Sequence, residues 1–283
     1  MMKRTLLTLI YLFTTALIFA KELEGKNLQA VNKALDAQLY VNNYEELSDQ
    51  LAYLQKIEKQ ILAYGDTISE EAKLLCKNIL IMQKETAKSA DAAKKNKDKK
   101  KKVDKEATEA AKAFSQSIYD EYKAFADSHS DLSCHFYLHY LEAQMATLAY
   151  LPKTKQLGAA KQAIEEFKKI DEKYPDYAES LYTYGMILYV MPKIAGGDKE
   201  AAMAKIKHAA EVPASNFEKA GALLLYSQIL FKEKKPEEAK IYFNKAKALN
   251  PESKSFKEMQ EMNDAGFSIF EMKEYLKKTG KNK

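Results

Sequence analysis

Glycine and proline are scarce in this chain, at nine and six copies in 283 residues. With so few turn formers, and with Ala, Leu, Lys and Glu in abundance, the sequence has little material for hairpins and is expected to fold as an all-α protein. Arginine is nearly absent: Arg4 is the one copy, and beyond residue 20 the permanent cations are all lysines. Lacking the planar guanidinium fork, the chain is poorly equipped to read base edges or clamp phosphates, which argues against a nucleic-acid partner. The motifs that announce catalysis are missing too. No G-x-S-x-G, H-E-x-x-H, P-loop or G-x-G-x-x-G occurs, so no enzymatic activity and no cofactor are expected.

Cysteine is limited to Cys76 and Cys134. If helices alternate in pairs, both fall on the first helices of successive pairs, and a Cys76–Cys134 disulfide is a candidate in an oxidising compartment. His135 and His139 stand four apart on one helical stretch, beside Cys134. That spacing suits zinc given a third ligand from elsewhere, but Cys134 projects about 100° away from His135 and no second cluster is visible. The two histidines therefore read as ordinary helix-face residues, and no metal is assigned.

What is present begins with Lys3 and Arg4, an uncharged run from Leu6 to Ala20, and a small residue before Lys21. This is the layout of a cleaved signal peptide over 1–20, which implies a periplasmic or secreted protein; the run falls short of the roughly 20 residues a spanning helix needs. No cysteine follows it, so a lipid anchor is not indicated. Removal of Lys3 and Arg4 leaves 43 lysines against 40 acidic residues, a net +3. The stretch Lys94–Lys105, KKNKDKKKKVDK, holds eight lysines and two aspartates, so the remainder of the mature chain is at −3. A block of like charge gains little by packing and is expected to be a solvated loop, with weak contact to an anionic membrane surface as the sharper reading.

Apolar residues recur at helical spacing elsewhere. Helices are expected near 26–40 and 43–64, the second carrying Leu47, Leu51, Leu54, Ile57 and Ile61, and a third from Thr67 or Ser69 that turns polar after Lys84. Thr67-x2-Glu70 satisfies a capping box for that third helix, and Asp131, Asp176 and Asp198 are candidate caps of later ones. Segments near 252–263 and 267–278 are amphipathic, with Phe256, Met259, Met262, Phe267, Phe270 and Leu276, and should cover the end of the fold.

One stretch has a repeat's internal spacing. Leu223, Tyr226, Ser227, Leu230, Ala239, Phe243 and Pro251 stand in the positions of a two-helix unit, with small residues where the helices approach and Phe243 between units. Ala163, Phe167 and Pro175 reproduce the spacing of Ala239, Phe243 and Pro251, and Leu181, Tyr184, Gly185, Leu188, Ala202 and Ile206 form another unit. Three pairs result, over 131–175, 176–213 and 215–251. The chain thus resembles the tetratricopeptide repeat family. The resemblance implies a right-handed solenoid of about 11–12 helices over 21–283, and a scaffold that binds a protein or peptide partner. On its pattern the concave wall would be lined by Tyr137, Leu141 and Gln144, then Tyr182, Met186 and Tyr189, then Leu224, Gln228 and Phe231. Such a wall suits an amphipathic peptide or a small hydrophobic ligand. A narrower likeness, over 176–211, is to the T components of tripartite periplasmic transporters, carried by Pro192 and Gly196-Gly197-Asp198 before an Ala-rich helix. It would imply a periplasmic solute-binding protein as partner, although the tethering cysteine of lipoprotein members is absent.

Overall fold

A computed structural model describes residues 22–95, 105–193 and 196–280. The stretch expected to be a signal peptide, 1–20, and most of the lysine block fall outside the described residues. Twelve α-helices follow one another with no strand among the described residues, and the expected all-α helical-repeat architecture is borne out. They are α1 (Gly25–Val41), α2 (Leu47–Leu62), α3 (Glu70–Lys95), α4 (Lys105–Ser128), α5 (Cys134–Leu148) and α6 (Lys153–Lys173), then α7 (Ala178–Val190), α8 (Lys199–Ala209), α9 (Asn216–Lys232), α10 (Pro236–Leu249), α11 (Lys254–Asp264) and α12 (Met272–Thr279). No helix among the described residues is long and apolar enough to cross a membrane.

The residues that gave the repeat its spacing hold neighbouring helices together. Ala202 and Ile206 of α8 are fully buried, and so is Ser227 of α9. At Gly185 of α7 a Cβ would meet Ile206 Cγ1 at 2.7 Å and the Ala202 carbonyl oxygen at 3.2 Å. Glycine there sets how closely α7 and α8 approach. The turn between them is tighter still, because a Cβ on Gly197 would lie 1.9 Å from the Met191 carbonyl oxygen. Asp198 then caps α8, accepting at 3.0 Å from the amides of Glu200 and Ala201. Phe243 of α10 is buried and meets Phe256 of α11 edge-on, with centroids 6.1 Å apart. Beyond it Met259, Met262 and Tyr275 are buried against the same cluster, so α11 and α12 cover the last pair.

Several local expectations are corrected. Helix α3 runs on to Lys95, past the point where the sequence turns polar; Ala, Lys and Glu have enough intrinsic helix preference to extend a helix without an apolar face. Its cap is Ser69, whose Oγ accepts from the Ala72 amide at 3.1 Å, while Thr67 belongs to a short 3-10 turn, Gly65–Thr67. A capping hydroxyl needs only a free first-turn amide, with or without a glutamate three residues on. Helix α5 is capped by Ser133 rather than Asp131, and Asp176 pairs with His208 at 2.7 Å instead of capping α7.

Helix α1 ties the start of the chain to its end. It packs on α2 and α3 through Ala30, Val31, Ala34, Leu35 and Ala37, all essentially without exposure. Its other side lies along α9. Asp36 accepts from the amide of Phe217 at 3.0 Å, at the start of α9. The Tyr40 hydroxyl donates to the Leu249 carbonyl at 3.3 Å, and Asn250 Nδ2 donates to the Leu39 carbonyl at 2.6 Å and to Asn43 Oδ1 at 2.9 Å.

Candidate functional site

The nine residues assigned to the concave wall do not form one open surface. Tyr137, Leu141, Tyr189 and Gln228 are buried, Gln144, Tyr182, Leu224 and Phe231 are half-buried, and Met186 is exposed. Three of these burials have an identifiable cover. The Tyr182 ring leans on α9, where a Cβ on Gly221 would touch it at 3.7 Å. Gln228 Oε1 accepts the Ile269 amide at 3.1 Å, and Phe270 packs on Tyr189 with centroids 5.0 Å apart, so the segment before α12 folds over this end of the wall. The ammonium groups of Lys199 and Lys232 lie 5.6 and 5.8 Å from the Tyr189 ring centroid. Helix α1 covers the opposite end, at the start of α9. Met186 and Val190 of α7 remain 43% and 59% exposed one turn apart.

The suggested disulfide is not formed: both thiols are free and buried. Both belong to one core cluster. Cys76 lines a pocket between α2 and α3, whereas Cys134 Sγ lies 3.5 Å from His135 Nδ1. Burial pushes the Cys76 thiol up to about 12, so it is held as the protonated, unreactive form.

The histidines are not helix-face residues, since both are buried in α5. His135 accepts the Leu23 amide at 3.4 Å on Nδ1 and packs on the Tyr177 ring at 4.5 Å. Burial, reinforced by His139, pushes its imidazole down to about 3 and keeps it neutral. His139, one turn on, has a different setting. Its Nδ1 lies 3.3 Å from Glu142 Oε2 on its own helix, and its Nε2 lies 3.5 Å from Glu179 Oε2 on α7. Each carboxylate has a further partner: the Tyr177 hydroxyl donates to Glu179 at 2.9 Å, and the Thr183 hydroxyl to Glu142 at 3.3 Å. The pairings 139 with 179 and 142 with 183 advance together, which fixes α5 and α7 as parallel neighbours. Glu218 of α9 adds a third carboxylate, held by the Ser215 amide and hydroxyl at 2.8 and 2.6 Å.

This cluster sits on the first helices of all three pairs. Burial would push the His139 imidazole down, but the carboxylates of Glu179 and Glu142 hold it well above the usual histidine range. Burial also pushes the Glu179 carboxyl up; His139 opposes that shift, while Glu142 and Glu218, as like charges, add to it. Both shifts mean the same thing: the cluster holds protons more tightly than its members would in water. The sequence carried a faint signal for it. Glu179 stands three residues before Tyr182, so extending the inner stripe by a turn would have reached it, whereas Glu142, next to Leu141, projects about 100° off that stripe.

No family model, no curated protein and no solved structure matches this chain.

Proposed function

We propose that this chain is an exported helical-repeat scaffold, of tetratricopeptide-like construction, that binds a segment of a protein partner and performs no chemistry of its own. The observation that supports this reading most is α1 itself. The last repeat already receives a helix through a side-chain cap from Asp36 at the start of α9, apolar packing through Leu39 and amide contacts at Asn250, at the end of α10. A surface that grips one amphipathic helix in this way has the chemistry to grip another. The part left uncovered is the strip of α7 carrying Met186 and Val190, bordered by Glu142 and Thr183, and methionine is a contact residue that adapts to its occupant. Export is supported by Lys3, Arg4 and the apolar run that follows, and the likeness over 176–211 would make a solute-binding protein the partner class.

A photo-crosslinking residue placed at Met186 or Val190 tests this in the living cell. The expected result is one discrete protein adduct from both positions and none from Ile241, which is 55% exposed on α10. Equal labelling from Ile241, or no adduct from α7, would refute it. A second reading, carriage of a small apolar molecule, is favoured by one observation: a cavity of about 390 Å³ between α2 and α3, lined by Ile61, Leu62, Ile68 and Leu80. Extraction of a stoichiometric lipid or metabolite from purified protein would support that reading instead.

A further inference from the structure

We propose that His139, Glu142 and Glu179 bind one divalent transition-metal ion, best matched by zinc, which clips the first helices of two successive repeats together. One nitrogen of His139 and one oxygen from each carboxylate lie within 4.8 Å of one another. Three donors that close need only small side-chain rotations to reach a common ion at bond lengths of about 2.0–2.2 Å. The pairing is not a byproduct of one helix's spacing, since α5 supplies two ligands and α7 the third.

An independent observation points to a missing partner. His139 Nε2 is buried and makes no hydrogen bond, although it faces the Glu179 carboxylate. Buried polar atoms are nearly always satisfied, so an orphan facing a carboxylate beyond hydrogen-bond reach marks a place where something binds. The carboxylates, by contrast, are already held from behind by Tyr177 and Thr183, as ligating carboxylates commonly are. Charge favours a cation as well. Glu142 and Glu179, with Glu218 close by, face a single imidazole, and no lysine among the described residues pairs with any of the three.

The donor set selects the class of ion. An imidazole nitrogen discriminates against magnesium and calcium, and the absence of a thiolate discriminates against soft monovalent copper, leaving zinc and its divalent neighbours. Three protein ligands leave a fourth position. Glu142 has a side chain that is 34% exposed, so that position opens toward solvent for a water or a donor from a bound molecule.

Chelator-stripped full-length mature protein, titrated calorimetrically with zinc chloride, tests this. The expected result is one equivalent bound at micromolar or lower Kd, with a rise in melting temperature on zinc addition. Glu142→Gln, at a partly exposed position that tolerates the change, should weaken zinc at least tenfold and abolish that rise; His139→Gln should abolish binding. If His139→Gln fails to fold, Glu142→Gln decides alone. His208→Gln removes the exposed His208–Asp176 pair and should leave the stoichiometry unchanged. Absence of micromolar binding, binding that survives Glu142→Gln but is lost with His208→Gln, or equal competition by magnesium would each overturn the site.

Discussion

Replacing Phe243 with alanine probes the contact between the last repeat and its cover. The ring is 5% exposed and lies in a cluster with Leu223, Ala246, Phe256, Met259 and Met262. A buried phenylalanine removes on the order of 150–250 Å² from water, and truncation to alanine forfeits most of that, about 2–3 kcal/mol. The neighbours on its own helix, Ala239 and Ala246, are too small to swing into the hole, so a cavity term adds to the transfer term and the total should be about 3–5 kcal/mol. Urea unfolding of the protein supplies the measurement, with the midpoint shifted and the slope unchanged. Phe256→Ala and the double variant complete a cycle. Because the rings meet edge-on, the coupling should be roughly 0.5–1.5 kcal/mol. A loss below about 1 kcal/mol at Phe243, or strictly additive losses, would show that this residue does not join α10 to α11.

Two glycines should respond oppositely to alanine. Gly197→Ala drives a Cβ into the Met191 carbonyl and should cost about 2 kcal/mol or more, whereas Gly158→Ala, in α6 with open space around it, should be neutral or stabilising by up to about 1 kcal/mol; thermal melts of the pair decide it. His135 should make the fold acid-sensitive. Its folded-state pKa is depressed to about 3, so as pH falls below about 6.5 the unfolded chain takes up a proton that the folded chain refuses, and stability is lost from there down toward pH 3. Between pH 7 and pH 5 this amounts to about 2 kcal/mol, and His135→Gln should flatten the stability profile over that window by the same amount. A variant profile parallel to the parent's would place His135 in contact with water.

Much of the fold was legible because repeat packing is local. Gly185, Ala202, Ile206, Ala239 and Phe243 each meet a partner within the same or the next helix, and spacing alone displays such contacts. The inner wall was harder, because a helical stripe names a face and leaves open what covers it. Asp36 and Phe217 meet across 181 residues of chain, and no periodicity near either one announces the other. Gln228 was assigned to the wall from its spacing on α9, yet its partner is the Ile269 amide, which arrives from beyond the last repeat. The histidines were read with the wrong neighbours for the same reason. Their spacing paired His135 with His139, but the groups that govern His139 are Glu142 on its own helix and Glu179 on the first helix of the next pair. Caps depended on details finer than composition: Ser133, two residues after Asp131, has the geometry to accept from Phe136, and its hydroxyl is in turn engaged by buried Glu71.

At the centre stands α1, held against α9 and the end of α10 as a fixed part of the fold. Hydrogen exchange on the protein measures this directly. Amides from Ala30 to Val41 should exchange as slowly as those in α9, because the helix is buried on one side by α2 and α3 and fastened on the other at Asp36, Tyr40 and Asn250. Exchange of that segment orders of magnitude faster than α9, with α2 and α3 remaining protected, would contradict it and show that the wall opens.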